Sequence, residues 1–308
     1  MREPVALAPT AAVAASGVAE NGGTWISWRA YGDGEPVLMI MGFMGSARAW
    51  FRLLPHVSER HRAIVFDNRG TGDSDRPGGL FTMGDLVGDA IAVLDAAGER
   101  SAHVIGVSMG GMIAQNLALD HPDRVRSLAL CCTHPGGRRV EGWPWRMLAS
   151  IALRPLVGPG GTFKIIAPLL YSERTRVGNP DRLEADIRMR SEEVTPARTA
   201  VGQAAAIAAH DTCARLHELQ MPVLVVHGEE DRLVPAENGR ELARLIPGAE
   251  LRIVPNAGHL LGTDAEQETA DALLGFFAAN GGKAAGEAVR EAGSVAPAAR
   301  PPQSTTRN

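Results

Sequence analysis

Residues Gly106–Gly110 form a G-x-S-x-G pentapeptide, and the segments on either side of it constrain the fold more than any other part of the chain. The preceding segment, Ala102–Val107, is short and largely apolar, which is typical of a buried parallel strand. The following segment, Met109–Leu119, has the apolar spacing of a helix, and Pro122 ends it. The order strand, serine, helix predicts a sharp turn that exposes the Ser108 hydroxyl. The alternative is a glycine-rich helix start in which the serine is only a cap.

The composition suits a water-soluble globular protein of one α/β domain with an insertion, or of two small domains. The chain has 308 residues, of which 45% are hydrophobic and 21% charged, and a net charge of −4. No basic stripe accompanies that charge, so we expect no nucleic-acid partner. No apolar run reaches the roughly 18 residues of a membrane-spanning helix, so we expect no membrane span.

The three cysteines favour a reducing compartment. Cys131 and Cys132 are neighbours in the sequence and Cys213 is distant, so no disulfide framework and no metal-ligand spacing is visible. We therefore expect a cytoplasmic protein without a metal. The mildly apolar segment Val5–Val18 leaves secretion open as an alternative, although Glu3, Pro9 and Thr10 break the pattern of a signal peptide.

Short apolar segments alternate with helical ones along the chain. This alternation predicts a mostly parallel sheet that is covered by helices on both faces. The predicted strands are 24–28, 36–40, 62–66, 102–107, 125–131, 222–226 and 250–254, and a helix is predicted over 84–98.

The alternation breaks between residues 134 and 215, which we interpret as a helical insertion that forms a cap. The sheet-containing core then comprises residues 21–133 and 216–280. Residues 1–20 are predicted to be a flexible N-terminal segment. Residues 281–308 are rich in Gly, Ala, Pro and polar residues, and such a tail is predicted to be disordered because it buries too little apolar surface.

A serine hydroxyl becomes a strong nucleophile only when a histidine accepts its proton and an acid orients that histidine. Asp231 follows the predicted strand 222–226, and His259 follows the predicted strand 250–254. The order Ser, Asp, His suits a triad at one edge of a parallel sheet. Glu229 and Glu230 are alternative acids, although a solvated acidic turn is the favoured interpretation of both.

Hydrolysis of an acyl group also needs donors for the negative charge that develops on oxygen. One predicted donor is the backbone N–H of Met109, at the start of a helix. The other is the backbone N–H of Phe43, in the loop Met41–Ser46 that follows the strand 36–40.

Together these motifs resemble the α/β-hydrolase fold from about Thr24 to Ala279. The segment Asp67–Ser74 is similar to the D-x-R-G-x-G-x-S loop of that family, and its favoured role is a structural turn. The resemblance implies an eight-stranded sheet that is antiparallel only at its second strand, with helices on both faces and a helical cap. The family often has His-Gly where this chain has Met41-Gly42, so the support of that loop must differ.

The resemblance implies hydrolysis of an ester, lactone or thioester through an acyl-enzyme, without a cofactor. Relatives that use aspartate as the nucleophile, such as haloalkane dehalogenases and most epoxide hydrolases, do not match Ser108. The chain looks most similar to small capped carboxylesterases and enol-lactone hydrolases. An apolar, mid-sized substrate is expected because a lipophilic pocket can be formed by residues of the cap and of the nearby loops: Met44, His134, Trp145 and Leu170.

Other activities use the same three residues. Cofactor-free haloperoxidases (perhydrolases) and hydrolases that cleave carbon–carbon bonds of ring-cleavage products also resemble this sequence around Ser108. A non-catalytic ligand receptor on the same fold is a further alternative. The triad by itself does not separate these activities from an esterase.

Overall fold

The computed structural model describes residues 12–137, 145–192 and 195–281, and for residues 145–155 it describes the backbone alone. The side chain of Trp145, a predicted pocket residue, therefore lies outside the described part. So does the predicted disordered tail, apart from Gly281.

The sheet has eight strands in the order β1-β2-β4-β3-β5-β6-β7-β8. β2 pairs antiparallel with β1 and with β4, and all other pairs are parallel. The predicted eight-stranded, mostly parallel sheet is thus confirmed. The strands are β1 Val13–Asn21, β2 Thr24–Tyr31, β3 Pro36–Ile40, β4 Arg62–Phe66, β5 Ala102–Val107, β6 Val125–Cys131, β7 Val223–Gly228 and β8 Glu250–Val254.

Helices cover both faces of this sheet. On β3, Leu38 and Ile40 belong to one core cluster and Val37 and Met39 to the other, because successive side chains of a strand point to opposite faces. The helices outside the insertion are α1 Leu53–Ser58, α2 Met83–Ala96, α3 Met109–Asp120, α8 Ala236–Leu245, α9 Leu261–Asp264 and α10 Glu266–Asn280, with short 3-10 turns at Ala47–Trp50, Pro122–Arg124 and Leu216–Glu218. The first cluster includes residues of α2, α3 and α8, and the second includes residues of α1 and α10.

Among the described residues, four helices lie between β6 and β7, in the segment for which the sequence predicts a helical insertion. We call them the insertion helices: α4 Trp145–Leu170, α5 Glu173–Gly178, α6 Pro180–Ser191 and α7 Ala197–Ala208. α4 is interrupted at Gly158, which has a φ of 69°. Among the described residues, no helix is long and apolar enough to span a bilayer.

The N-terminus differs from the sequence prediction. Residues 1–20 were expected to be flexible, but Val13–Asn21 form the edge strand β1. Their weak β propensity is offset by backbone pairing with β2 across a two-residue turn. Gly22 and Gly23 form this turn with φ values of 58° and 78°, the positive values that a tight hairpin of this type requires.

Candidate active site

Ser108 lies between β5 and α3 in a conformation that is rare for a residue with a side chain. Its φ is 55° and its ψ is −120°. A positive φ costs on the order of 1 kcal/mol or more for such a residue, so surrounding contacts must hold it. The N–H of Ser108 donates to the carbonyl of Cys131 at 2.9 Å, and the Thr133 hydroxyl donates to the Ser108 carbonyl at 2.8 Å. The turn predicted from the pentapeptide is therefore present.

The two glycines of the pentapeptide allow close backbone contact around this turn. A Cβ added at Gly110 would lie 2.1 Å from the carbonyl oxygen of Ile40, and one added at Gly106 would lie 2.4 Å from the carbonyl oxygen of Gly110. Neither distance leaves room for a methyl group. Glycine at both positions lets α3 begin directly against the ends of β3 and β5.

The loop Met41–Ser46, called the β3 loop below, packs directly against Ser108. A Cβ added at Gly42 would lie 3.1 Å from the Ser108 Cβ and 3.7 Å from its Oγ. The segment Asp67–Ser74 braces this loop, as expected for a structural turn. Asn68 Nδ2 donates to the Met41 carbonyl at 2.8 Å, and Asp67 Oδ1 accepts the N–H of Ala47 at 2.7 Å.

Asp231 and His259 form a buried pair. Asp231 Oδ2 lies 2.8 Å from His259 Nδ1, and both residues are only 4% exposed. The other carboxylate oxygen, Oδ1, accepts the N–H groups of Leu233 and Val234 at 2.9 and 2.8 Å. The Asp231 carboxylate is thus fixed by its own turn and presents one oxygen to the imidazole.

The electrostatics of this pair keep Asp231 ionised. Burial alone raises the pKa of the Asp231 carboxyl, but His259 and His227 outweigh it by charge and hydrogen bonding and hold the pKa at about 2. His227 Nε2 lies 3.4 Å from Asp231 Oδ2 and 2.7 Å from the Val234 carbonyl oxygen. His227 therefore supports the carboxylate.

The alternative acids face away from this pair. Glu229 is exposed, and the Glu230 carboxylate accepts the N–H of Glu173 at 2.8 Å on the protein surface. Among the three neighbouring carboxylates, Asp231 is the one that contacts His259.

The turn after β6 links the Ser108 turn to the His259 loop. Cys132, with a φ of 46°, donates its N–H to the Val226 carbonyl at 3.0 Å. Its thiol lies 3.9 Å from the carbonyl oxygen of Gly258, and its neighbour Thr133 binds Ser108. Residues after β5, β6, β7 and β8 therefore meet at one edge of the sheet, where the carboxyl ends of parallel strands provide sites.

The insertion also holds the His259 loop, by contacts that the sequence did not suggest. The N–H of Leu260 donates to the carbonyl of Leu170, at the end of α4, at 3.0 Å. Asp264 Oδ2 accepts the N–H of Gly258 at 2.7 Å and that of Ser172 at 2.8 Å. One carboxylate thus joins the loop of the predicted base to the insertion.

A model of the alpha/beta hydrolase fold family matches residues 35–265, which include Ser108, Asp231 and His259. The chain belongs to the α/β-hydrolase family. The family was therefore correctly predicted from the motifs around the pentapeptide.

Named relatives of this α/β hydrolase differ in the reactions that their names state. A putative carbamate hydrolase of Azorhizobium caulinodans is 31% identical over 260 residues, which cover 84% of this chain and 97% of the relative. A putative non-heme bromoperoxidase of Mycobacterium tuberculosis is 31% identical over 256 residues, covering 80% of this chain and 95% of the relative. The solved structure of a thermophilic esterase from Thermogutta terrifontis matches with a TM-score of 0.75 at 26% identity, covering 86% of this chain and 99% of the esterase.

The predicted pocket residues of the α/β hydrolase lie in different surroundings. Met44 is half-buried in the β3 loop. Leu170 is 6% exposed, in an apolar cluster that also contacts Leu233 and Leu260, the neighbours of the buried Asp–His pair. Leu170 thus helps to hold these loops.

His134 lies near the Asp–His pair as a neutral ring. Its Nδ1 accepts the N–H of Gly136 at 3.1 Å, which leaves Nε2 as the protonated nitrogen. Burial, followed by the nearby His210, His227 and His259, lowers the pKa of His134 to about 4. A neutral donor beside the site suits contact with a polar group of a substrate.

One group of potential metal ligands is present among the described residues. Donor atoms of Cys132, His227 and Asp231 all lie within 4.8 Å of one another and are buried. Burial raises the pKa of the Cys132 thiol well above its ordinary value, which favours a neutral thiol at this position. With His227 bound to Val234 and Asp231 to His259, these side chains fit a hydrogen-bonded support better than a metal centre.

Proposed function

We propose that this α/β hydrolase cleaves a carboxylic ester or lactone of an apolar, mid-sized substrate, with Ser108 as nucleophile, His259 as base and Asp231 as the acid that orients the base. The observation that carries the proposal is the buried hydrogen bond between Asp231 and His259. Both residues lie on loops at the same edge of the sheet as Ser108, whose φ is positive. The positive φ of Ser108, the close contacts at its flanking glycines and the buried Asp231 carboxylate are each energetically unfavourable. A catalytic role for Ser108 explains why all three are present.

In the first half of the reaction, the Ser108 oxygen attacks the substrate carbonyl carbon while His259 Nε2 takes the serine proton. The negative charge moves to the carbonyl oxygen, where the backbone N–H groups of Phe43 and Met109 stabilise it. The tetrahedral intermediate then breaks its carbon–oxygen bond to the alcohol, and His259 returns the proton to the leaving oxygen. In a lactone, that alcohol stays attached to the acyl chain.

In the second half, His259 takes a proton from water and the resulting hydroxyl attacks the acyl carbon. The bond to Ser108 breaks, the serine recovers its proton, and the carboxylic acid leaves. Asp231 stays ionised throughout, since its pKa of about 2 lies far below neutral pH. Its role is to hold the imidazole so that Nδ1 keeps its proton and Nε2 faces the reaction.

The insertion helices supply the apolar side of the pocket in this proposal. The end of α4 contacts the His259 loop through Leu170, and the β3 loop contributes Met44. His134 offers a neutral donor at the polar side. We assign the Trp145 side chain to the same pocket from the sequence. Such a pocket accepts an apolar acyl or alcohol group and orients it by few polar contacts.

Perhydrolysis is the second candidate, because a relative at 31% identity is named as a putative non-heme bromoperoxidase. Hydrogen peroxide then replaces water in the second half of the same cycle and a peracid leaves. Another relative is named as a putative carbamate hydrolase. In that reaction the same groups would attack the carbamoyl carbon of the substrate. Both candidates require Ser108, so a substrate panel must separate them.

The test is turnover of short p-nitrophenyl esters by the purified full chain and by Ser108→Ala. We expect the substitution to lower kcat by several orders of magnitude. Ser16→Ala, on the exposed edge strand, is the matched control and should retain full activity. A fluorophosphonate should add mass at Ser108 in the parent protein. Comparable turnover in Ser108→Ala, or labelling at another residue, contradicts the proposal.

A panel then defines the substrate class. It contains esters and lactones of increasing chain length, a carbamate, a ring-cleavage diketone, and acetate with hydrogen peroxide. The proposal expects the highest kcat/KM for an apolar ester or lactone. If kcat/KM is higher for peracid formation or for carbon–carbon cleavage, that activity replaces the proposed ester or lactone hydrolysis.

A further inference from the structure

The insertion binds the β3 loop at Met44. The N–H of Met44 donates to Gln203 Oε1 on α7 at 2.8 Å. The carbonyl of Met44 accepts the hydroxyl of Thr195 at 2.9 Å. Both partners lie more than 150 residues further along the chain, at separations of 159 and 151. Two residues of the insertion therefore bind both backbone polar groups of one loop residue.

Met44 needs such support because its backbone is strained. Its φ is 60°, in the left-handed region that is unfavourable for a residue with a side chain. The Met44 N–H belongs to the same peptide plane as the Phe43 carbonyl. Fixing that plane limits rotation at Phe43, whose own N–H is the proposed oxyanion donor.

The core holds the other end of the same loop. Asn68 Nδ2 donates to the carbonyl of Met41 at 2.8 Å. Phe43 therefore lies between one anchor from the core, at Met41, and one from the insertion, at Met44. Losing the second anchor leaves the loop attached to the core, and the remaining restraint on Phe43 is the turn closed by the Gly45 N–H, which donates to the Gly42 carbonyl at 3.2 Å.

Gln203 is poorly explained as a packing residue. It is fully buried at 0% exposure, and its Nε2 has no hydrogen-bond partner among the described residues. A buried amide N–H without a hydrogen-bond partner is destabilising, and an apolar side chain of similar size would avoid that cost. The amide is needed at this position for its other atom, the oxygen that accepts the Met44 N–H.

We propose that Gln203 is a positioning residue that sets the oxyanion donor at Phe43 by fixing Met44, so that the donor is in place only when α7 is docked against the β3 loop. This inference rests on the proposed function. It applies to any substrate whose transition state places negative charge on oxygen. Thr195 has the same role at the Met44 carbonyl.

The test compares Gln203→Met with Gln203→Glu. Methionine keeps the volume and removes the strong acceptor, whereas glutamate keeps an acceptor oxygen for the Met44 N–H. We expect Gln203→Met to lower kcat about 10–100-fold, less than outright loss of an oxyanion donor, with KM nearly unchanged. Binding of a trifluoromethyl ketone, whose adduct with Ser108 carries the oxyanion, should weaken by the same factor. In Gln203→Glu, both kcat and the affinity for the ketone should stay close to those of the parent protein.

If Gln203 served only for packing, Gln203→Glu would be less active than Gln203→Met, because a buried carboxylate is worse tolerated than a thioether. If Gln203→Glu loses more activity than Gln203→Met, or if both keep full kcat, the inference is wrong. Gln267→Met makes the same chemical change at an exposed position and should behave as the parent protein.

Hydrogen–deuterium exchange of the peptide that contains the β3 loop gives a readout without substrate. Exchange should be faster in Gln203→Met than in the parent protein and in Gln203→Glu. If the parent protein shows no Ser108-dependent turnover, the proposed function fails, while this exchange still decides whether Gln203 holds the loop. Thr195→Val, which keeps the side-chain shape, gives the same readout should Gln203→Met fail to fold, and unchanged exchange there overturns the inference.

Discussion

Asp231 and His259 are 28 residues apart in the sequence, yet Asp231 Oδ2 and His259 Nδ1 lie 2.8 Å apart. β7 and β8 bring them together because they are parallel neighbours, so the residues that follow them reach the same edge of the sheet. The helix α8 between these strands makes the parallel return possible. The pair is therefore a product of sheet topology rather than of local sequence.

Asp231→Asn should lower kcat for a p-nitrophenyl ester by about 10³–10⁴-fold while the protein stays folded. The amide of asparagine can donate to Nδ1, which favours the wrong tautomer of His259. Glu230→Gln, at the neighbouring surface carboxylate, is the matched control and should leave kcat unchanged. A loss of similar size in both variants would show that the acidic turn acts as a whole.

Gly42→Ala should reduce activity because the new methyl group presses on the turn that holds Ser108, the proposed nucleophile. Its Cβ would lie 3.0 Å from the Val107 carbonyl oxygen and 3.1 Å from the Ser108 Cβ. A displacement of the order of 1 Å at a reacting group can cost about 100-fold in rate. Gly78→Ala is the control, since nothing lies within 4 Å of its added Cβ. Equal kcat in the two variants contradicts close contact between the β3 loop and Ser108.

His134 should remain neutral throughout the pH range of ordinary assays. Burial and, to a smaller extent, the neighbouring histidines lower its pKa to about 4. NMR titration of the histidine ring protons should show a midpoint near 4 that disappears in His134→Gln. A second midpoint near 4 should remain, because burial also lowers the pKa of His210 to about 4. A midpoint near 6.5 for His134 would contradict its buried, neutral state.

A buried ion cluster around Asp186 fastens α6 of the insertion to the core. Asp186 Oδ1 accepts the hydroxyl of Thr263 at 2.6 Å and lies 3.2 Å from Arg52 Nε. Its Oδ2 accepts the hydroxyl of Tyr171 and the Nε of Arg190, both at 2.7 Å. Removing the carboxylate leaves guanidinium groups without their counter-charge, which typically costs about 3–5 kcal/mol.

Asp186→Asn should therefore lower the free energy of unfolding by several kcal/mol, measured by urea denaturation. Glu184→Gln, an exposed position on the same helix, is the control and should have almost no effect. Unchanged stability of Asp186→Asn would mean that the cluster contributes nothing to holding α6.

The same carboxylate gives a pH dependence with a defined sign. Burial raises the pKa of Asp186, but Arg190, Thr263 and Tyr171 outweigh it and hold the pKa at about 2, below the ordinary 3.8. The Asp186 carboxyl therefore binds its proton more tightly in the unfolded chain than in the folded protein. Its contribution to the free energy of unfolding, about 2 kcal/mol, is present above about pH 5 and is lost as the pH falls towards 2. Asp186→Asn should flatten the decline of the unfolding free energy between pH 5 and 2.

The elements that were predicted well from the sequence are those whose pattern of apolar residues matches their burial in the fold. β3 and β5 are apolar because both of their faces are covered, and Ser108 follows a strand in a sharp turn. β1 was missed because its small residues lack a strand pattern, although Asn21-Gly22-Gly23 carries the signal of a two-residue hairpin. That strand exists through pairing with β2, which no single segment encodes.

The sequence by itself determined the family, the turn at Ser108 and the order in which Asp231 and His259 follow it, because these depend on local patterns at the ends of strands. Only the tertiary structure decided which atoms meet. It gave the bonds from Gln203 and Thr195 to Met44 and the cluster at Asp186, all of which join residues far apart in the chain. Such contacts depend on how α6 and α7 dock against the core, and that docking is set by the packing of many residues together rather than by any one motif.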